Sequence, residues 1–594
     1  MTSPARPLSG GGAPLPSGGL RGIPLPVPPA FTVTRRALRA RRLHLAGHLS
    51  SLEAGVGRRL GEPAEPLLVS VAAEPPVSSG AGSAFSHVGL SHATVEGYSA
   101  LIGDETSAWS RYERLVRSFA IGVRGVPPDR LPPSVTPAGP AAVRARVGRL
   151  LAAIAEVSGR PFPQDPREQV GEVATALLAA GGMGAATVTV QAMVHGDAVG
   201  PSGAGTAFTR NPATGEHRTA GEFFPSAERA HTAGSGQAVA LDELARWSPP
   251  VYAELQRVAG TVEDALLDLA EIDFVVERSR LWVIDVRVAR GSAVSALTTA
   301  VDLWHRGALT LMEALARIPP VALIRVAEAG LVTDGAVRLG RGTGVSPGVA
   351  VGPLVLSGAR ARQLAGPDVT PVLAAGDDAN PEAVLSAGAV VSPGGGHASH
   401  LAALTRDLEH PAVCRVPRLA LGARQARFGS VIVSDGQEVS VDGSTGDIFL
   451  GACPRAARRP ADEVVELLLA CDAQRCLPLL AEGERAPWAD GVFQAGAAVV
   501  CRNPEEVDAA LTADQPVAVS PGPGAPLRLV EVARELAGYG IDVMLRIDRS
   551  WPRSLIRLPA APFSALIATP EAAGAGRMLA ALLAPEPVPG VGHP

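Results

Sequence analysis

The 594-residue chain contains no lysine; all 53 residues counted as Lys+Arg are arginines. That absence excludes a Walker-A lysine, the strand lysine of protein kinases and any lysine Schiff base. Abundant Ala, with 66 Gly and 53 Pro, points to a compositional origin for the bias. The consequence is unchanged: any phosphate-binding cation must be arginine. Cysteine is scarce too. Cys414, Cys453, Cys471, Cys476 and Cys501 all fall in the last third and none shows CxxC spacing, so neither a zinc site nor a disulfide framework is indicated. No run of 18 apolar residues occurs, and the Pro/Gly/Ser-rich N-terminus has no apolar leader core. A net charge of −5 argues against a general nucleic-acid binder. The expectation is a cytoplasmic protein with neither nucleic acid nor membrane as partner.

What is present suits a multidomain globular chain. Hydrophobic residues make up 46% and charged residues 19%, with length for roughly three to five domains. Residues 1–30 are low in complexity and expected to be flexible. The stretch 111–123 has helical amphipathic spacing, whereas 186–194 alternates like a strand. Residues 251–287 read as a long helix followed by a β-hairpin turning at Arg278–Ser279. Pro319–Pro320 and the Gly-rich 338–352 mark a boundary, and 453–463 looks like a linker. Beyond it, strand and helix patterns alternate as about four parallel βα units. A complete (β/α)₈ barrel needs roughly 250 residues, more than this tail contains.

The sharpest local feature is VVSPGGGHASHLAALTRDLEHPAV, residues 390–413. An apolar strand leads into three glycines, then His397-Ala398-Ser399-His400, then helix-forming residues. Such a turn points backbone N–H groups and the positive end of a helix at a place where an anion can sit. Ser399 can cap the helix, leaving His400 on its first turn as a candidate nucleophile. Arg406 is close enough to help neutralise charge. Two other readings stay open from this pattern: histidines that merely cap or pack, and a pair of metal ligands.

These residues resemble the GGxxSHxAxxAR loop of the phosphohistidine domain of phosphoenolpyruvate-utilising enzymes. GVSPGVAVG (344–352) is similar to that domain's opening strand and VSVDGSTGDIFLG (439–451) to its closing hairpin. Upstream, 188–223 with FTRNPATGE, 271–287, 22–34 and 66–97 resemble, in order, the nucleotide-binding part of the pyruvate phosphate dikinase family. The fold implied is a multidomain α/β chain. It comprises an ATP-grasp-like nucleotide domain over 31–320, a swivelling β/β/α phosphohistidine domain over 335–455, and a shortened, partly barrel-like βα tail over 465–585. The resemblance makes His400 the phosphorylated residue, in a loop with Gly395, Gly396, Ser399 and Arg406. It places Gln191, Met193 and Val194 along the adenine, Arg287 on the nucleotide phosphates, and Asp273 and Asp285 at Mg²⁺. Residues 273, 285 and 287 can project to one face of two paired strands, although a solvated acidic hairpin is the plainer alternative. Arg502 matches a phosphoenolpyruvate-binding arginine, or is a simple surface arginine. ATP and Mg²⁺ are the implied cofactors. An acceptor or barrel domain supplied in trans is the implied partner, and a homodimer is compatible with it.

Departures accompany the resemblance. The family's GGKGANL loop has no counterpart, and Val71-Ala72-Ala73-Glu74 stands where it has an arginine-bearing VRSGA. A third arginine-bearing stretch, before the strand at 188, is missing. Phosphoryl transfer depends on positioning and charge neutralisation, and one such donor commonly contributes two to three orders of magnitude in rate (~10²–10³). The expected function is a dikinase-like phosphotransferase working through phosphohistidine at His400. The alternatives are an inactive homologue with a binding or regulatory role and an antibiotic phosphotransferase, whose acceptor insert is not visible between 290 and 340.

Overall fold

The computed structural model describes residues 9–10, 23–34, 45–74, 84–133, 139–180, 187–226, 238–326, 328–366, 369–456 and 461–473. Beyond these it describes 479–481, 485–488, 491–494, 499–501, 507, 517–519, 543–547, 565–568, 575 and 577–578. Most of the N-terminal stretch expected to be flexible lies outside the described residues. The chain divides into two compact units. The first holds residues up to Thr209, Thr219–Leu266 and Ala270–Val288; the second holds Arg210–Arg218, Leu267–Leu269 and everything from Ala289.

The first unit contains two antiparallel sheets. In one, β1 (Ala30–Thr34), β2 (Val69–Glu74), β3 (Ala84–Val88) and β4 (Thr187–Ala192) lie in the order β1-β4-β2-β3. Helices α1 (Val95–Ile102), α2 (Glu105–Gly122), α3 (Pro140–Ser158) and α4 (Pro166–Ala180) contribute to the same core. α2 starts where Asp104 caps it, accepting from Ser107 N–H at 2.9 Å. It buries Trp109, Tyr112, Leu115, Val116 and Phe119 at helical spacing, as the 111–123 periodicity predicts. β4 differs from its alternating sequence: Thr189 and Gln191 are buried along with Val188 and Val190, because the strand is central and covered on both faces.

The second sheet combines β5 (Gly203–Phe208), β6 (Ala220–Pro225), β7 (Val239–Ala240), β8 (Ala270–Glu277) and β9 (Arg280–Val288) in the order β7-β6-β5-β8-β9. The helix α5 (Pro249–Leu266) packs on it through Val251, Leu255, Val258 and Val262. The β8–β9 hairpin turns at Arg278 and Ser279, both at positive φ, where the sequence places the turn.

A buried polar cluster stands in this unit. Arg111 donates to the Tyr98 hydroxyl and to Asp197, Arg58 pairs with Glu277, and Glu277 accepts from His195 N–H at 3.1 Å. The His195 ring lies edge-on to Tyr98, with centroids 5.2 Å apart. Neither of its ring nitrogens has a partner among the described residues, and the same holds for Nε2 of His87.

The second unit is built on an eight-stranded mixed sheet. Its strands are β10 (Arg338–Arg341), β11 (Thr343–Ser346), β12 (Val349–Val355), β13 (Val372–Ala374), β14 (Ala389–Val391), β15 (Ala412–Cys414), β16 (Glu438–Asp442) and β17 (Asp447–Leu450). Their order is β10-β17-β16-β12-β13-β14-β15-β11, with β12 to β15 parallel. α6 (Ala293–His305) precedes the sheet, and α7 (His400–Leu408) joins β14 to β15. Such a crossover places the loop after β14 at the carboxyl end of a parallel strand, where open α/β sheets bind ligands. In the tail, strands at 479–481, 565–568, 543–547, 517–519 and 499–501 form a second parallel sheet in that order. The helices expected between the last four lie almost wholly outside the described residues.

Burial, then Arg111 and Arg114, hold the His87 imidazole down at about 3, and burial with Arg58 pushes His195 well below its usual value. A histidine whose folded pKa is depressed contributes stability above its unfolded value of 6.5, and that stability is lost as pH falls towards 3. Urea unfolding from pH 7 to 4.5 is therefore expected to show falling stability. His195→Phe should flatten the slope by up to about 1.4 kcal/mol per pH unit; an unchanged slope would contradict the assignment.

Candidate functional site

The acidic hairpin of the first unit comes from two paired strands. Asp273 on β8 lies opposite Asp285 on β9, and Glu271 opposite Arg287, with a register shift after Asp273. The Arg287 guanidinium gathers all three carboxylates: 3.0 Å to Asp273, 2.9 Å to Asp285, and a close contact to Glu271. Thr206 on β5 donates to Asp273 at 2.6 Å. Burial works against the charge on Arg287, but Asp273 and Glu271 more than offset it and raise its pKa. Three carboxylates around one guanidinium leave the face with two negative charges.

Among the described residues no group of three or more His, Cys, Asp or Glu is arranged to hold a metal ion by itself. Asp273 and Asp285 nevertheless suit Mg²⁺ chemically. That ion commonly takes one or two carboxylates and completes its shell with substrate phosphates and water.

The other residues matched to the nucleotide lie deeper. Gln191 and Met193 are buried at the end of β4, and Met193 Sδ accepts from His87 N–H at 3.0 Å. Val194 packs with Val275, Trp282 and Ile284, and its backbone pairs with Gly10. What the side chains of 191–194 form is core. Ala72 pairs with Thr189 and offers only a buried methyl. Arg502 lies outside the described residues.

The histidine loop of the second unit leaves β14 at Ser392, whose Oγ accepts from Gly394 N–H at 3.3 Å. Gly395 has φ +73, and a Cβ there would stand 2.6 Å from Asp377 Oδ1 and 2.9 Å from Ser399 Oγ. Only glycine suits that position. Ser399 is the N-cap of α7, accepting from Ala402 N–H at 3.2 Å, and Gly396 O accepts from Ser399 N–H. His400 is the first helical residue and is exposed, whereas Leu401, Ala402, Thr405 and Arg406 face inward.

The loop is tied down from three directions. Arg406 Nη1 donates to His397 O at 3.0 Å and to Val345 O at 3.4 Å. Beyond β15, Arg415 N–H donates to Gly394 O at 2.8 Å and Val416 N–H to Ser392 O at 3.0 Å. The two loop histidines differ sharply. His397 is 7% exposed and its Nδ1 has no partner among the described residues. Burial, then Arg406, Arg415 and Arg218, push it down to about 3, so it stays neutral. Arg415 and Arg218 go unnoticed in the sequence. The available signals are a cation just after the AVC strand and one just after the TGE turn.

Removing Arg287 leaves three carboxylates facing one another. Arg287→Ala should lower stability by about 1–3 kcal/mol, between the ranges for exposed and buried pairs. Millimolar Mg²⁺ should restore part of the loss. Thermal unfolding measures both, and an unaltered midpoint would show the cluster to be energetically idle.

The family described as PEP-utilising enzyme, mobile domain, matches residues 369–446, which contain the whole histidine loop. Curated relatives extend the similarity further. The chain is 27% identical over 529 residues to a pyruvate, phosphate dikinase of Rhizobium meliloti (strain 1021), covering 77% of this chain and 58% of that protein. It is 26% identical over 527 residues to the chloroplastic pyruvate, phosphate dikinase 1 of Arabidopsis thaliana, covering 80% and 54%. The corresponding enzyme of Rickettsia felis is 26% identical over 485 residues, covering 73% and 55%. The chain thus spans little more than half the length of the curated relatives it matches. Over residues 369–446 the chain is thus similar to the mobile domain of PEP-utilising enzymes, and over most of its length to curated pyruvate, phosphate dikinases, from which it diverges.

Proposed function

We propose that the chain is a phosphotransferase of the dikinase type, in which His400 accepts a phosphoryl group from a nucleotide. One observation carries the reading: an exposed imidazole on the first turn of α7, behind a glycine loop in which Gly395 holds a positive φ against the Asp377 and Ser399 side chains. In such a step the lone pair of an imidazole nitrogen attacks phosphorus. The P–O bond breaks with its electrons passing to the nucleotide oxygen, and the phosphoramidate forms at the positive end of a helix. The first unit would serve as an ATP-grasp-like nucleotide domain and residues 335–455 as the swivelling phosphohistidine domain. Asp273 and Asp285 would contribute oxygens to Mg²⁺ arriving with the nucleotide, where the ion neutralises phosphate charge. Residues 465–585 are proposed as a degenerate, barrel-like domain; an acceptor for the phosphoryl group would be supplied in trans, and a homodimer suits that arrangement.

A specific observation favours a second reading, a non-catalytic relative. Arg287 is engaged by three carboxylates, and Ala72 gives β2 no cation. One experiment separates the two. Full-length protein with Mg²⁺ and ATP labelled in the β- or γ-phosphate should acquire acid-labile, base-stable label that is absent from His400→Ala. No label with any nucleotide, together with no shift of melting temperature by Mg–ATP, would support the binding or regulatory role instead.

A further inference from the structure

Residues 410–434 hold Arg415, Arg418, Arg424 and Arg427 and neither aspartate nor glutamate. Most of the stretch folds into a small antiparallel sheet, with strands Leu419–Leu421, Gln425–Phe428 and Val431–Ser434 in that order. Its inner face is Leu419, Ala426, Phe428 and Val433, which share a core with Val391 and Val413 of the parallel sheet. The small sheet is thus packed against the strand that leads into the histidine loop.

The outer face is exposed and basic. Ala420 lies opposite Arg427 and Arg427 opposite Ile432, which puts a guanidinium mid-sheet beside an isoleucine that is 52% exposed. Arg418 and Arg427, with Ala420, Gly429 and Ser430, line a shallow groove of about 540 Å³, and none of its lining residues is acidic. Arg418 is held at positive φ (58°), and its carbonyl accepts from Gly429 N–H at 3.0 Å. Arg424 is exposed in the connection between the first two strands. Arg418, Arg424 and Arg427 make no ion pair and no side-chain hydrogen bond among the described residues. Other arginines of the same unit are paired: Arg338 and Arg341 with Asp447, Arg360 with Asp435, and Arg362 with Glu382. The acids that bound the stretch are taken as well, Glu409 by Arg325 at 3.3 Å and Asp435 by Arg360 at 3.3 Å.

Three unpaired guanidinium groups attract an anionic surface. Ile432, with Leu421 at the margin, gains nothing from a sugar–phosphate backbone but buries well against an apolar side chain. Single-stranded nucleic acid is held on aromatic platforms, and the one aromatic residue of the stretch, Phe428, is buried. Arginine beside apolar side chains suits a protein interface.

We infer that the outer face of this sheet, centred on Arg427 and Ile432 and flanked by Arg418 and Arg424, is a docking surface for a partner protein that presents an acidic segment with an apolar side chain among its carboxylates. The inference goes beyond the phosphotransfer reading and does not depend on it.

The probe is a fluorescein-labelled peptide of glutamates around a single leucine, titrated with the full chain by anisotropy. Binding should be saturable at low ionic strength and weaken as salt is raised. Arg418→Gln, Arg424→Gln and Arg427→Gln should each lose about two- to fivefold in affinity, the worth of an exposed ion pair, and the triple variant more than about tenfold. Ile432→Ser should lose about threefold for this peptide and nothing for an all-glutamate one. Arg362→Gln removes an exposed arginine paired with Glu382 and should bind as wild type does. The replaced arginines are exposed, so the variants should melt with wild type, which thermal unfolding checks. The inference is overturned by no binding to wild type, by equal affinity in wild type and the triple variant, or by no loss with Ile432→Ser. Tighter binding of a uridine oligonucleotide than of the peptide, through the same arginines, overturns it too.

Discussion

The clamp on the glycine loop is the contact on which the rest of the site depends. Arg406 reaches from inside α7 to the carbonyls of His397 and Val345, while backbone bonds from Arg415 and Val416 hold Gly394 and Ser392. A loop with glycines at 394, 395 and 396 is entropically costly to order, so these bonds decide whether it has one shape. With the loop fixed, Ser399 can cap α7 and His400 takes up an exposed place on its first turn. Nothing about His400 itself produces that presentation. Its neighbours do.

The two candidate regions differ in their charged groups. On the β8–β9 hairpin, Arg287 sits among Glu271, Asp273 and Asp285, and the excess is negative. Such a face repels a bare polyphosphate and suits one carrying a divalent cation. Around the histidine loop, Arg406, Arg415 and Arg218 act on His397, and the Asp377 carboxylate stands beside Gly395. In a chain whose only strong side-chain cations are arginines, the distribution of guanidinium groups is the distribution of phosphate-binding capacity.

Local elements were the most legible part of the sequence. The α2 spacing, the turn at Arg278–Ser279 and the strand–glycine–helix pattern at 390–408 can be read directly, because each depends on residues within one or two turns of one another. The alternation in β4 misleads, since it suggests one wet face while the sheet order covers both. The ring nitrogens without a partner among the described residues, Nε2 of His87, both of His195 and Nδ1 of His397, are illegible for a related reason. Their burial comes from partners such as Arg111, Tyr98, Arg406 and Arg415, brought in by chain topology. For the same reason the sequence singles out His400 and Arg406 but not Arg218, which lies 182 residues before His400.

The central claim is that His400, and no other histidine, is chemically competent. The most direct measurement is mass spectrometry under alkaline conditions of peptides spanning residues 390–413 from the full-length chain after exposure to Mg–ATP. The account predicts a gain of one phosphoryl group on that segment, with fragment ions placing it on His400 and not on the buried His397. An unmodified segment, or modification on His397, would contradict it.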